Sequence, residues 1–217
     1  SVGIGGITLG GGIGFLSRKY GLTIDSLLAA EVVTADGEVR YVDADNHPDL
    51  FWALRGGGGN FGVVTRFRYR LHDVPTVVGG MLILPATPEV IASFLAEAEA
   101  APEELTTIAN VMTAPPMPFL PAEVHGKPVV MALMTYAGDA EAGHRALAPF
   151  RALATPLVDM LKPMPYPEMY GPEPEDYHPV SVGRNLFLDD VTVDRAAHIL
   201  DQIQESKAMM SVVQLRV

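Results

Sequence analysis

"LRGGGGNFGVVTRFRYRL" (Leu54–Leu71) sets four consecutive glycines between two differently patterned runs. Upstream, "NHPDLFWALR" (Asn46–Arg55) reads as a helix. Asn46 or His47 stands at the cap, Pro48 in the first turn and Asp49 at the positive end of the dipole. Downstream, "FGVVTRFRYRLH" (Phe61–His72) reads as a strand, with Val64, Phe67, Tyr69 and Leu71 set against Arg66, Arg68 and Arg70. Gly57-x-Gly59-x-x-Gly62 matches the pattern GxGxxG. The dinucleotide fold behind that pattern needs strand, turn, then helix, so that a pyrophosphate meets the helix start. Here the order is helix, loop, strand, which excludes that fold. No GxxxxGK[ST] phosphate loop occurs either.

A second glycine-rich stretch, "SVGIGGITLGGGIG" (Ser1–Gly14), opens the chain. Val2, Ile4, Ile7, Leu9 and Ile13 give it apolar material to bury, so it reads as a packed loop rather than a flexible linker. These two stretches hold more than half of the 21 glycines. Glycine lets backbone amides turn toward an anion or lie flat against a ring. The competing structural reading is tight turns where backbones cross.

Between them, "GFLSRKYG" (Gly14–Gly21) reads as a short helix ended by Gly21. "AAEVVTADGEVRYVDA" (Ala29–Ala44) reads as a hairpin with Asp36-Gly37 in a tight primed turn. "DVPTVVGG" (Asp73–Gly80) reads as a boundary. Beyond it, "GMLILPA" is a strand, and "TPEVIASFLAEAEAAP" a helix capped by Thr87 with Pro88 at its first position. Two more strands, "ELTTIANVMTAP" and "KPVVMALMTYAG", precede the helix "DAEAGHRALAPFRAL". Residues Pro156–Pro179 read as an ordered irregular segment. The helix "TVDRAAHILDQIQES" and the strand "MSVVQLRV" close the chain. Strands and helices without regular β-α-β spacing give an α+β class, divided as 1–75 and 76–217.

The 217 residues carry 26 acidic and 15 basic side chains, a formal charge of −11. That balance opposes a nucleic-acid surface. With no cysteine, disulfides, thiolate catalysis and Cys-based zinc sites are excluded. The six histidines share no HxxxH or HExxH spacing, so no metal site is expected. No apolar run approaches the roughly 18 residues of a membrane span, and no signal peptide is evident, which leaves the compartment undetermined. Ser1 in place of Met and a strand at the C-terminus read as a piece of a longer protein, with a processed or trimmed chain as the alternative. No GxSxG elbow supports a serine hydrolase.

"GGITLGGGIGFLSRKYGLTIDSLLAAEVVTADGEVR" followed by "NHPDLFWALRGGGGNFGVVTRFRYRL" resembles the FAD-linked oxidases of the berberine bridge enzyme group, within the vanillyl-alcohol oxidase and p-cresol methylhydroxylase superfamily. The likeness is dense over Ser1–Leu71 and sparse beyond Pro75. It implies that residues 1–75 are the second part of a p-cresol methylhydroxylase-type FAD-binding domain. Residues 76–217 would be part of an α+β substrate domain with an antiparallel sheet, incomplete at the C-terminus. The resemblance also carries cofactor contacts over to Val2, Gly3, Gly5, Gly6, Gly10, Gly11, Gly14, Gly62 and Val63. Gly56 to Gly59 are then the hinge from helix to strand.

The implied reaction is hydride loss from a substrate C–H to flavin N5, with dioxygen as reoxidant. Alcohols, sugars or secondary metabolites are the implied small-molecule substrates. The family's flavin-linking histidine and late tyrosine have no match in this chain, so the catalytic base is unassigned. The alternative is a fragment that keeps its fold and binds no FAD, and an acidic interaction module is the competing class. Within 163–179, Tyr166, Met169, Tyr170 and Tyr177 are the candidates to line a substrate pocket, with Tyr166 and Tyr170 foremost. Arg184 with Asp189 or Asp190 offers an ion pair or a substrate contact.

Overall fold

The computed structural model describes residues 2–171, 180–208 and 210–217. Internal contacts divide the chain into two units, Ser1–Asp73 and Val74–Val217. It is an α+β protein with two antiparallel sheets.

The first unit is built on a three-stranded sheet in the order β2-β1-β3. Strand β1 is Leu27–Val33, β2 Val39–Asp43 and β3 Val63–Tyr69. The β1–β2 connection differs from the expected primed turn. Gly37 has φ 81°, but Asp36 stays outside the positive-φ region that a type I′ turn requires of both central residues. Thr34 N–H instead donates to Glu38 C=O (3.0 Å) and Gly37 N–H to Thr34 C=O (2.9 Å), giving a longer loop with one left-handed glycine. The Asp36 carboxylate accepts from the Thr34 hydroxyl (2.5 Å), which locks this form.

Strand β3 carries an irregularity: Glu31 pairs Arg66 and Val32 pairs Val64, leaving Thr65 extra. That extra residue explains the odd spacing from Val64 to Phe67. Both face the core with Tyr69, against Leu27, Val32, Val42, Phe51 and Leu54. Leu71, expected on that face, lies beyond the strand and is 89% exposed.

"SVGIGGITLGGGIG" is not a loop throughout. Ile4–Leu9 forms a six-residue helix, α1. Two glycines in six residues make a poor helix by propensity, so tertiary contacts hold it. The buried Thr8 hydroxyl meets the Tyr69 hydroxyl at 2.8 Å, and Gly5 packs on the Phe67 ring. Helix α2, Ser17–Tyr20, ends at Gly21 with φ 79°. Helix α3 is Pro48–Gly57, with His47 at its cap in the left-handed region. Neither candidate side chain caps it; Asn46 instead donates to the Asp43 carboxylate (2.9 Å).

The second unit is a six-stranded sheet in the order β7-β4-β6-β5-β9, with β8 also paired to β4. Its strands are β4 Thr76–Pro85, β5 Leu105–Thr113, β6 Pro128–Tyr136, β7 Val158–Asp159, β8 Lys162–Pro165 and β9 Val212–Arg216. Two expectations change here. The stretch read as a boundary supplies the first half of β4, and part of the segment read as irregular joins the sheet as β7 and β8.

Helices α4 (Pro88–Ala100), α5 (Ala140–Ala152) and α6 (Val193–Glu205) cover one face. Each begins at a side-chain cap, from Thr87, Asp139 and Thr192 respectively. Between helices and sheet lie Val78, Leu82, Val130, Met134 and an edge-on Phe94–Phe150 pair at 5.0 Å. The opposite face carries Ile83, Met112, Val129 and Met131 under Leu120 and Val124. No helix among the described residues is long and apolar enough to cross a membrane.

Candidate functional site

Each unit carries one candidate surface. In the first, the glycines sort by what a side chain would meet. Gly11 (φ 101°) and Gly12 (φ 83°) are required by the backbone itself. Their carbonyls accept from Ile24 N–H (3.0 Å) and Thr23 N–H (2.8 Å), and a Cβ at Gly12 would lie 2.5 Å from Thr23 Oγ1. Gly10 N–H donates to Gly6 C=O at 3.1 Å. Gly3, Gly6 and Gly14 differ: their φ values lie outside the left-handed region and a Cβ at any of them meets nothing within 4 Å. Internal packing therefore leaves these three faces uncovered. Val2, Ile4 and Ile13 beside them are 71%, 59% and 54% exposed.

At the second glycine run, α3 departs from helical geometry at Arg55 and Gly56, and Gly56 and Gly58 have φ of 110° and 67°. These glycines turn the chain from helix into strand. Gly62 has an internal reason as well. At φ 145°, its Cβ would stand 2.4 Å from Val33 C=O, where β3 meets β1. Val63 next to it is 69% exposed.

The two glycine runs are mechanically joined. Arg55 Nη2 lies 3.0 Å from Asp25 Oδ1, while Asp25 Oδ2 accepts Leu22 N–H at 2.8 Å. Asp25 belongs to the 3-10 turn Thr23–Ser26, on which Gly11 and Gly12 are pinned.

In the second unit, a cavity of about 470 Å³ opens on the sheet face away from the helices. Met81 and Leu133 form its floor, and Met160, Met164 and Met169 its walls. The room comes from Gly79 and Gly80 in β4. A Cβ at Gly79 would lie 2.6 Å from the Met169 sulfur, and one at Gly80 (φ 135°) 2.3 Å from Met160 C=O. A Gly-Gly pair inside a strand pattern signals such a close approach, a signal masked when the pair was read as a boundary.

Arg151 braces the wall with a forked contact to Asp159 (2.6 and 3.2 Å) and a bond to Leu161 C=O (3.3 Å). The Arg151 bond, strongest among the causes, holds the Asp159 carboxyl below the usual carboxylate range.

Tyr166 and Tyr170 lie beside this cavity on the turn Tyr166–Met169, with hydroxyls 2.9 Å apart and rings edge-on. Glu168 and Met169, between them in sequence, line the cavity. Burial, then the Tyr170 hydroxyl, pushes the Tyr166 phenol upward. It stays protonated near neutral pH and can only share a hydrogen bond. Tyr177 lies outside the described residues. Asp190 pairs with Arg195 rather than Arg184. Among the described residues, no group of three or more His, Cys, Asp or Glu could hold a metal.

Residues 1–43 match a family model described as an FAD binding domain. (R)-6-hydroxynicotine oxidase of Paenarthrobacter nicotinovorans is 34% identical over 169 residues, covering 77% of this chain and 36% of its own length. The solved 6-hydroxy-D-nicotine oxidase of Arthrobacter nicotinovorans superposes with TM-score 0.67 at 31% identity, over 77% of this chain and 36% of that one. For BBE-like 1 of Physcomitrella patens the TM-score is 0.61 at 28% identity, over 76% and 34%. Over about three quarters of its length the chain is similar to FAD-linked oxidases of the vanillyl-alcohol oxidase type. It spans about a third of the length of the FAD-linked oxidases it matches.

FAD is the cofactor of this oxidase family. The first unit fits such a group. A flat ring needs backbone without side chains and an apolar surround, and Gly3, Gly6 and Gly14 with Val2, Ile4 and Ile13 present both.

Proposed function

We propose that the protein to which this chain belongs is an FAD-dependent oxidase of a small organic substrate. In this reading residues 1–75 are the second part of its FAD-binding domain and residues 76–217 part of its substrate domain. The observation that carries the proposal is the uncovered backbone at Gly3, Gly6 and Gly14, inside the segment that matches an FAD binding domain.

Val2, Gly3, Gly5, Gly6, Gly10, Gly11 and Gly14 would hold the flavin end, and Gly62 and Val63 the adenine end. Gly5, Gly10, Gly11 and Gly62 also serve the fold, whereas at Gly3, Gly6 and Gly14 no internal contact demands the missing side chain, so their glycine identity is assigned to the cofactor. When bound, FAD would supply the redox chemistry, as hydride acceptor for a substrate C–H with dioxygen as reoxidant. The chain's own contribution is to orient and to exclude water. The methionine-lined cavity takes the apolar body of a substrate. Tyr166 and Tyr170, next in sequence to the lining residues Glu168 and Met169, would offer hydroxyls nearby, and the Tyr166 phenol, pushed upward by burial, is no base near neutral pH. The substrate would be an alcohol, a sugar or a secondary metabolite.

The test is a titration of the 217-residue chain with FAD, followed by flavin fluorescence and absorbance. Saturable quenching supports the reading. A second reading is favoured by the chain's coverage of about a third of its relatives' length: by itself the chain keeps its fold and retains no FAD. Circular dichroism of a folded, colourless chain that fails to quench added FAD selects that reading.

A further inference from the structure

Strand register sets a polar row across the sheet face that bears the cavity. Lys162 on β8 pairs Gly79 on β4, Gly79 pairs Thr135 on β6, and Thr135 pairs Thr106 on β5. Directly opposed residues of antiparallel strands share a face, and alternation puts these four on the face away from the helices. The adjacent row on that face contains Met81 and Leu133, which floor the cavity.

Thr135 and Thr106 are 0% and 5% exposed. Among the described residues, theirs are the buried side-chain oxygens with no hydrogen-bond partner. Buried hydroxyls are nearly always satisfied, and leaving one unmade costs stability. Two such hydroxyls opposite each other on one sheet face therefore need an explanation. Beside Thr135 stands Gly79, which has no side chain, and the sulfur of Met169 fills that place. A methionine is the side chain best able to leave such a position, being unbranched and flexible.

We infer that the cavity continues beneath Met169 into a subsite floored by Thr135 and Thr106, and that this subsite binds a neutral hydroxylated group carried on an apolar body. Two threonine hydroxyls can each donate and accept, which matches a diol or a polyol edge. They cannot offset the desolvation of an ion, so a charged group is excluded from this depth. Lys162 at the rim stays with the solvent-facing part of the ligand. The inference takes the cavity to be the substrate side of the proposed oxidase and rests on that reading for its biological sense. The binding itself requires no flavin.

The test uses the full 217-residue chain without FAD, with 13C-labelled methionine methyls read by NMR. The probes are trans-1,2-cyclohexanediol and its hydroxyl-poor counterpart, cyclohexyl methyl ether. The diol is expected to shift the Met169 and Met81 methyls and to bind about tenfold tighter than the ether, one hydrogen bond's worth. In Thr135→Val and Thr106→Val that preference falls toward one, and in Thr135→Ser it returns. Met169→Ala tightens the diol by uncovering the floor. Equal affinity for diol and ether in the parent chain, or a diol preference unchanged in both valine variants, overturns the inference. Neither result bears on the FAD titration, so the two readings fail separately.

Discussion

Asp25 and Arg55 fasten the two glycine runs of the first unit to each other across 30 positions of sequence. The pair is partly exposed, with side-chain accessibilities of 47% and 36%, so its Coulomb attraction is screened. Asp25 does a second thing: its other oxygen takes Leu22 N–H. Replacing Arg55 by Met should therefore cost under about 1 kcal/mol, and Asp25→Ala about 1 kcal/mol more, because a backbone donor is also orphaned. Urea unfolding of both variants and the double variant measures the difference. Equal losses for the two single changes would show that the Leu22 bond contributes nothing.

Gly6 and Gly62 should respond oppositely to alanine. Gly62→Ala drives a Cβ into Val33 C=O at a φ that disfavours side chains, with an expected loss of about 1–3 kcal/mol. Gly6 lies inside α1 with open space at its Cβ, so alanine there should raise stability by up to about 1 kcal/mol. If the proposed FAD contact is right, Gly6→Ala also weakens FAD while the fold strengthens. Thermal melts with FAD titrations separate these effects, and unchanged FAD affinity would remove Gly6 from the cofactor surface.

Gly59→Ala is the control within the four-glycine run. Its φ is not left-handed and its Cβ meets nothing, so a change within about 0.5 kcal/mol is expected. Gly56→Ala, at φ 110°, should cost about 1 kcal/mol or more. Denaturation midpoints of the two variants test whether the left-handed position is demanded by the turn while the open one is not.

Acid should loosen the cavity wall. The folded-state carboxyl of Asp159 lies below its unfolded value, chiefly through Arg151. Its stabilisation is therefore complete above the unfolded value, near about pH 4, and is lost as pH falls through the folded one. With a third of the side chain exposed, the effect is held to about 1 kcal/mol. Melting temperatures of the parent and Asp159→Asn, followed downward from neutral pH, should converge below about pH 4. Parallel curves throughout would exclude Asp159 from the acid response.

What the sequence revealed follows the range of the interactions. Helix α4 was legible because Thr87 and Pro88 act within one turn, and Val90 N–H bonds Thr87 Oγ1 at 3.2 Å. The strand β3 was legible from its alternation, though the extra Thr65 appears only once β1 is beside it. Helix α1 was hidden because its sequence disfavours helix and its support comes from Phe67 and Tyr69, about 60 residues away. β8 was hidden because Pro163 and Pro165 lack the N–H of a central strand; they are admitted on its outer position against β4. Of the candidate site residues, the left-handed glycines were visible by type. The cavity was not, since its walls converge from β4, β6 and the stretch after β7.

Gly79 and Gly80 divide the cavity into a part that is hard to alter and a part that is easy. At these two glycines the base is bare main chain beside the Met81 and Leu133 floor, and any side chain there collides with Met169 or Met160. The walls are thioethers on β8, the connection before it and the turn after it, and only their side chains line the cavity. A lineage could retune which molecule fits by exchanging Met160, Met164 or Met169 one at a time, each step leaving a foldable protein. Selectivity in this unit is thus free to drift while the architecture beneath it stays still.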